Sequence, residues 1–215
     1  MATVLCFGDS LTWGFDPATG GRFPADVRWP GVLRTELGPD LLVVEEGLPG
    51  RQTVWGSDFM PGRNGRDYLP PCLDSHAPVD VVVLMLGTND LQTALHRSVE
   101  EVARGCGSLV DIVRFGASGP GGRPPRVLLV APPRIGAVQG IMRIAFAGAE
   151  DRSQHLASWL AQVAEATGSA FLDASEVVGP STGPGGDGVH LDADGQRALG
   201  RAVAAAVRPL LVPAD

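Results

Sequence analysis

Residues 79–86 read VDVVVLML, and residues 87–90, which follow directly, read GTND. The first stretch predicts a β-strand, because it is short, rich in β-branched residues and closed by a turn-forming glycine. Apart from Asp80 it is apolar without alternation, which is typical of a strand covered on both faces in a parallel sheet. The rest of the chain should therefore provide helices for both faces of such a sheet.

Apolar runs and helix-like stretches alternate on both sides of this strand. The other predicted strands span 3–7, 41–45, 126–131 and 170–173, and the predicted helices span about 31–37, 98–115, 148–167 and 193–211. Such alternation indicates a doubly wound α/β fold with a parallel sheet of about five strands. At 215 residues the chain fits a single domain, residues 1–215. Glycine and proline concentrate at 49–71, 116–125 and 179–188, which we interpret as loops.

Charge and composition exclude several classes of protein. The net charge of −7 argues against binding to nucleic acid or to an anionic membrane. All 17 basic residues are arginine, so a Schiff-base lysine and a Walker A loop are absent. Three widely spaced cysteines, Cys6, Cys72 and Cys106, include no C-x-x-C pair, which argues against a zinc site or a disulfide framework. They favour a reducing, cytoplasmic compartment, and we expect neither a targeting segment nor a membrane span.

Residues able to do chemistry follow three of the predicted strands. Ser10 follows the first strand, Gly47 the second and Asn89 the third, while Asp187 and His190 precede the last helix. In doubly wound sheets the ligand lies beyond the carboxyl ends of the strands. If the strand order is 2-1-3-4-5, Ser10 and Asn89 face one crevice.

These residue types suit nucleophilic catalysis. A serine nucleophile needs a base and an orienting acid, and His190 can be that base, with Asp187 three residues earlier in a glycine-containing loop. The Asn89 amide could stabilise an oxyanion together with the backbone N–H groups of Ser10 and Gly47. The alternatives are that Ser10 and Asn89 are helix caps and that His190 is a surface residue. The remaining histidines, His76, His96 and His155, are interpreted as surface residues.

The combination resembles a known family. The blocks GDSL at 8–11, Gly47, GTND at 87–90 and DGVH at 187–190 stand in the order of the four blocks of the SGNH (GDSL) hydrolases, and no G-x-S-x-G elbow is present. The resemblance implies an esterase or acyl-transfer enzyme with a flavodoxin-like three-layer α/β/α sandwich and neither metal nor cofactor. It also implies Ser10 as nucleophile, His190 as base, Asp187 as orienting acid, and Gly47, Asn89 and Ser10 as the oxyanion hole.

Further segments are similar to the bacterial arylesterase/acyltransferase subgroup of that family. They are DSLTWG at 9–14, the stretch 22–29, and the stretch 64–70. The similarity implies small ester and alcohol substrates, short acyl chains, acyl transfer to alcohols, perhydrolysis and a homo-oligomer. The loops 49–72 and 132–148 mix Gly, Pro, Met, Trp and Ile, which suits an interface.

Four aromatic residues are candidates for an apolar acyl or acceptor pocket: Trp13, Phe15, Trp55 and Phe146. The alternative is that they belong to the core or to an interface. The same triad would also serve a thioesterase/lysophospholipase or a carbohydrate deacetylase. From another class, a flavodoxin-like binding module would hold FMN or another phosphate ligand at this crevice, but residues 8–14 offer two hydroxyls and a Trp instead of a phosphate loop. A catalytically silent assembly protein is a third alternative.

Overall fold

The computed structural model describes residues 1–212 and contains one five-stranded sheet. The strands are β1 (Ala2–Gly8), β2 (Leu41–Gly47), β3 (Val81–Met85), β4 (Arg126–Ala131) and β5 (Ala170–Asp173). Every neighbouring pair is parallel, and the order is β2-β1-β3-β4-β5. The predicted parallel sheet is confirmed, and its strand order is the one under which Ser10 and Asn89 were expected to face one crevice.

In the described part of the chain, seven α-helices connect and cover the strands. They are α1 (Ser10–Trp13), α2 (Trp29–Leu37), α3 (Gly65–His76), α4 (Val99–Arg114), α5 (Met142–Phe146), α6 (Glu150–Thr167) and α7 (Ala193–Leu211). The sequence predicted the four long helices α2, α4, α6 and α7 with ends shifted by two residues or fewer. Within residues 1–212, no helix combines the length and the apolar character needed to cross a bilayer.

Two hydrophobic clusters lie on opposite faces of the sheet. Because alternate strand residues point to opposite faces, Leu5 and Phe7 of β1 enter one cluster and Val4 and Cys6 enter the other. Helices α3, α4 and α6 cover the first face, and α1, α2 and α7 cover the second. The result is the three-layer α/β/α sandwich that the family resemblance implied.

Helix α3 is the main difference from the sequence prediction, which placed a loop over 49–71. Asn64 caps the helix, because its side-chain oxygen accepts the N–H of Arg66 at 3.0 Å. Pro70 and Pro71 lie inside it and remove two backbone donors, a pattern that is typical of helix ends. Burial of α3 against the first face of the sheet outweighs this local penalty.

Candidate active site

Ser10 lies at the point where β1 passes into α1. It is the first residue of that short helix, and Oδ1 of the preceding Asp9 accepts the N–H of Leu11 at 2.9 Å. The Ser10 side chain lies at the amino end of α1, and the residue is 8% exposed. Gly8 is needed just before this turn, since a Cβ there would lie 2.0 Å from Thr12 Oγ1 and 2.8 Å from the Met85 carbonyl.

The loop before α7 brings His190 and Asp187 to Ser10. His190 Nε2 lies 2.8 Å from Ser10 Oγ, and His190 Nδ1 lies 2.6 Å from Asp187 Oδ2. Asp187 Oδ1 also accepts the backbone N–H groups of Val189 and His190, at 2.9 and 2.8 Å. The structure therefore unites three predicted residues in one continuous hydrogen-bond chain.

The electrostatics of Asp187 keep its carboxylate ionised. Burial favours the neutral form, but the hydrogen bond from the His190 ring, its positive charge when protonated and the two backbone donors outweigh burial. The pKa of Asp187 accordingly lies below its usual value. An ionised carboxylate on Nδ1 places the proton of a neutral imidazole there and leaves Nε2 free to accept one from Ser10.

Asn89 joins the third strand to the site. It begins the short 3₁₀ turn Asn89–Leu91 after β3, and its Nδ2 donates to Asp9 Oδ2 at 3.2 Å and to the Arg51 carbonyl at 3.1 Å. Asp9 and Arg51, on separate chain segments, thus hold the Asn89 amide next to the segment that carries Ser10. The sequence predicted that Ser10 and Asn89 share a crevice, and these contacts bring their segments together.

Gly47 ends β2 and faces the end of α1. It pairs in register with Gly8, and a Cβ on it would lie 2.2 Å from the backbone nitrogen of Trp13. This close approach of two backbones requires glycine whatever the residue does in catalysis.

Gly50, three residues further on, has a backbone N–H group to which the sequence analysis assigned no role. Arg51 N–H bonds to the Leu48 carbonyl at 3.0 Å, and Gly50 has a φ of 80°, so 48–51 is a turn with Pro and Gly in the places of a type II turn. Within residues 1–212 the Gly50 N–H has no hydrogen-bond acceptor. The Pro49-Gly50 pair is the sequence signal that would have found it.

The four candidate pocket aromatics lie in different places. The Phe15 ring lies against His190, with 4.4 Å between ring centroids. Arg22 covers the Trp13 ring at 5.1 Å, and Arg97 covers the Trp55 ring at 3.7 Å. Phe146 is only 3% exposed and packs in the first-face cluster, so the expectation that it lines a pocket is corrected to a role in the core.

Among residues 1–212, one cluster offers three potential metal ligands: Glu46, Cys72 and His76. It shares no residue with the Ser10–His190–Asp187 chain. His96 and His155 are exposed, as expected. His76 is partly exposed, and its Nε2 lies 3.0 Å from Glu46 Oε1, a carboxylate partner that the sequence did not indicate.

A serine hydroxyl that contacts an imidazole held by a partly buried carboxylate defines the class of serine hydrolases. The sequence profile of the GDSL-like lipase/acylhydrolase family matches residues 6–198, and the chain belongs to that family. A carbohydrate acetylesterase from Sinorhizobium meliloti is 37% identical with a TM-score of 0.92, and the aryl esterase of M. smegmatis is 40% identical with a TM-score of 0.91. Each alignment covers 98% of this chain and 100% of the other. No curated protein sequence gives a match. The protein is a carboxylic ester hydrolase.

Proposed function

We propose that the protein hydrolyses short-chain carboxylic esters through an acyl-enzyme on Ser10. The observation that carries this proposal is the hydrogen-bond chain from Ser10 Oγ through His190 to Asp187, with links of 2.8 and 2.6 Å. Ser10 Oγ attacks the ester carbonyl while its proton passes to His190 Nε2, and Asp187 stabilises the imidazolium. The leaving alcohol departs with that proton.

The second half of the reaction frees the enzyme. Water attacks the acyl carbonyl, His190 Nε2 takes one of its protons, and Ser10 Oγ regains a proton as the carboxylic acid leaves. An alcohol in place of water would give a new ester. Acyl transfer of this kind, and perhydrolysis, are proposed as side activities from the subgroup similarity.

Three donors can stabilise the oxyanion of each step. The Ser10 N–H is free of helix hydrogen bonds because Ser10 begins α1, and an oxyanion takes over one N–H of the Asn89 amide. Sequence reasoning places the third donor at Gly47. The free N–H of Gly50 in the turn that meets Asn89 favours Gly50 for this role, and Gly47 then serves to let α1 approach β2.

Short acyl groups are favoured by two observations. The Phe15 ring takes up space directly beside His190. The full-length structural relatives are named as an aryl esterase and a carbohydrate acetylesterase, so acetylated carbohydrate is the second candidate substrate class. Thioester and lysophospholipid substrates remain weaker alternatives, and a cytoplasmic location stays a prediction from the cysteine content.

The test is hydrolysis of p-nitrophenyl acetate, butyrate and octanoate, and of an acetylated sugar, by the wild type and by Ser10→Ala. We expect acetate to be the best aryl ester and Ser10→Ala to lose at least ~10³-fold in kcat. Ser158→Ala, at an exposed position of α6, is the matched control and should keep full activity. Equal activity in the wild type and Ser10→Ala would refute the proposal.

We further propose that the protein is a homo-oligomer. The two segments that the sequence singled out as an interface, 49–72 and 132–148, carry exposed apolar side chains at Phe59, Ile141 and Ile144. Exposed apolar groups of this size favour contact with another protein surface.

A further inference from the structure

Glu46, Cys72 and His76 lie together where the end of β2 meets α3. One carboxylate oxygen, the thiol sulfur and one imidazole nitrogen lie within 4.8 Å of one another. Cys72 and His76 are four residues apart on α3 and so share one helix face, towards the strand that carries Glu46. The cluster takes no part in the proposed ester chemistry.

Neighbouring groups fix the Glu46 carboxylate in this cluster. Tyr68, one turn before Cys72 on the same helix face, donates its hydroxyl to Glu46 Oε2 at 3.2 Å. His76 Nε2 lies 3.0 Å from the other oxygen, Oε1. The guanidinium of Arg51 bonds to the backbone carbonyls of Glu46 and Gly8, so it anchors the end of β2 without occupying the carboxylate.

We infer that this cluster binds a divalent transition-metal ion of the zinc type, with Glu46, Cys72 and His76 as ligands. Thiolate and imidazole donors select zinc and similar ions over magnesium and calcium, which prefer oxygen. Three protein ligands leave one position of a tetrahedron for water. The Tyr68 hydroxyl orients Glu46, as outer hydrogen bonds commonly do for ligating carboxylates.

Access and charge agree with such a site. The side chains of Glu46 and His76 are 20% and 32% exposed, which gives an ion a route from solvent, while Cys72 is buried behind them. Cys72 would bind an ion as its thiolate, so the entering ion displaces the thiol proton. Carboxylate and thiolate together would balance the two positive charges of the ion, while the guanidinium of Arg51 adds one further positive charge beside them.

The sequence argues against zinc because its widely spaced cysteines include no C-x-x-C pair. A ligand set of one strand residue and a helical Cys-x-x-x-His pair has no such signature. It becomes visible only once 65–76 is known to be a helix. Binding would link β2 to α3 and stabilise the folded chain by mass action.

The test is titration of the full chain, first treated with a chelator, with Co²⁺ as the probe. We expect one equivalent to produce thiolate-to-cobalt charge transfer and the visible bands of a tetrahedral site, and Zn²⁺ to displace it. Cys72→Ala should abolish the charge-transfer band, although Cys6 and Cys106 remain. His76→Gln should weaken binding more than ~10-fold, and Tyr68→Phe by roughly 10-fold.

His155→Gln removes an exposed histidine elsewhere and is the matched control, which should bind Co²⁺ as the wild type does. Native mass spectrometry counts the ions bound to each folded variant. The inference is overturned if the wild type shows no charge-transfer band, or if Cys72→Ala or His76→Gln binds as tightly as the wild type. If Cys72→Ala does not fold, the Co²⁺ affinities of His76→Gln and Tyr68→Phe, at partly exposed positions, test the inference.

Discussion

The two carboxylate oxygens of Asp9 contact two separate segments of the site, the one that carries Ser10 and the one that carries Asn89. Oδ1 holds the first turn of α1, which carries Ser10, and Oδ2 holds the amide of Asn89. Burial raises the pKa of Asp9 to about 6, although the Leu11 N–H and the positive charges of His190 and Arg51 oppose this rise. A single residue thereby sets the distance between the nucleophile and an oxyanion donor.

A second buried carboxylate, Asp90, should make stability depend on pH. Burial raises its pKa to about 7, despite hydrogen bonds from the Thr53 hydroxyl at 2.7 Å and the Thr53 N–H at 3.0 Å. The folded pKa exceeds the unfolded one, so the stabilising contribution is complete below the unfolded pKa and is lost as pH rises through about 7. Asp90→Asn lacks this contribution and keeps only that of Asp9, whose pKa is raised to about 6.

Urea unfolding of both proteins at about pH 5 and about pH 8 measures the effect. Between these values we expect the wild type to lose on the order of 2 kcal/mol of unfolding free energy relative to Asp90→Asn. Asp194→Asn, at an exposed carboxylate on α7, is the control and should follow the wild type. Parallel pH profiles for the wild type and Asp90→Asn would contradict the prediction.

Phe15 should restrict the length of the acyl group, because its ring lies 4.4 Å from that of His190. Phe15→Ala opens this space, so kcat/KM for a hexanoyl ester should rise roughly 10-fold relative to the acetyl ester. Chain-length profiles with p-nitrophenyl esters measure the ratio. Phe115→Ala removes an 80% exposed ring at the end of α4 and should leave it unchanged. An unchanged ratio in Phe15→Ala would mean that the acyl group binds elsewhere.

At the scale of elements, the contact between the end of β2 and α1 depends on Gly47. In Gly47→Ala the new Cβ would lie 2.2 Å from Trp13 N and 2.6 Å from Trp13 Cα, and no side-chain rotation relieves a clash with backbone. Helix α1 must move and take Ser10 with it. We expect a loss of about 1–3 kcal/mol in unfolding free energy and a fall in kcat.

Thermal unfolding and initial rates of Gly47→Ala test this expectation. Gly179→Ala is the matched control, since a Cβ there meets no atom within 4 Å, and its stability should change by less than about 0.5 kcal/mol. A Gly47→Ala protein as stable and active as the wild type would show that α1 and β2 adapt without cost.

The strands could be predicted from sequence because strands buried on both faces are uniformly apolar. In a parallel sheet the ligand lies beyond the carboxyl ends of the strands, and this rule predicted that Ser10 and Asn89 lie near each other. Helix α3 was missed since Pro70 and Pro71 suggest a helix end, and with it the ligand spacing of Cys72 and His76. Which aromatic rings face the triad depends on packing between distant segments, and local sequence carries no record of that.

At the scale of the whole molecule, the sandwich buries apolar residues on both faces of the sheet yet leaves several large ones in solvent. Phe59 is 95% exposed and Ile144 is 81% exposed, and neither side chain belongs to the two hydrophobic clusters. Connecting segments at the site end of an α/β sheet, here a loop for Phe59 and the short helix α5 for Ile144, are free to carry such residues because the sheet does not need them for packing.

The exposed residues Phe59 and Ile144 should therefore lie in contacts between copies of the chain. Replacing both with serine removes apolar area that favours association, so we expect the double variant to form smaller species than the wild type. Size-exclusion chromatography with light scattering over a range of protein concentrations measures this. Phe115→Ser removes an 80% exposed ring outside the two segments and should keep the wild-type mass. A monomer mass for the wild type would contradict the prediction, and an unchanged mass for the double variant would place the interface elsewhere.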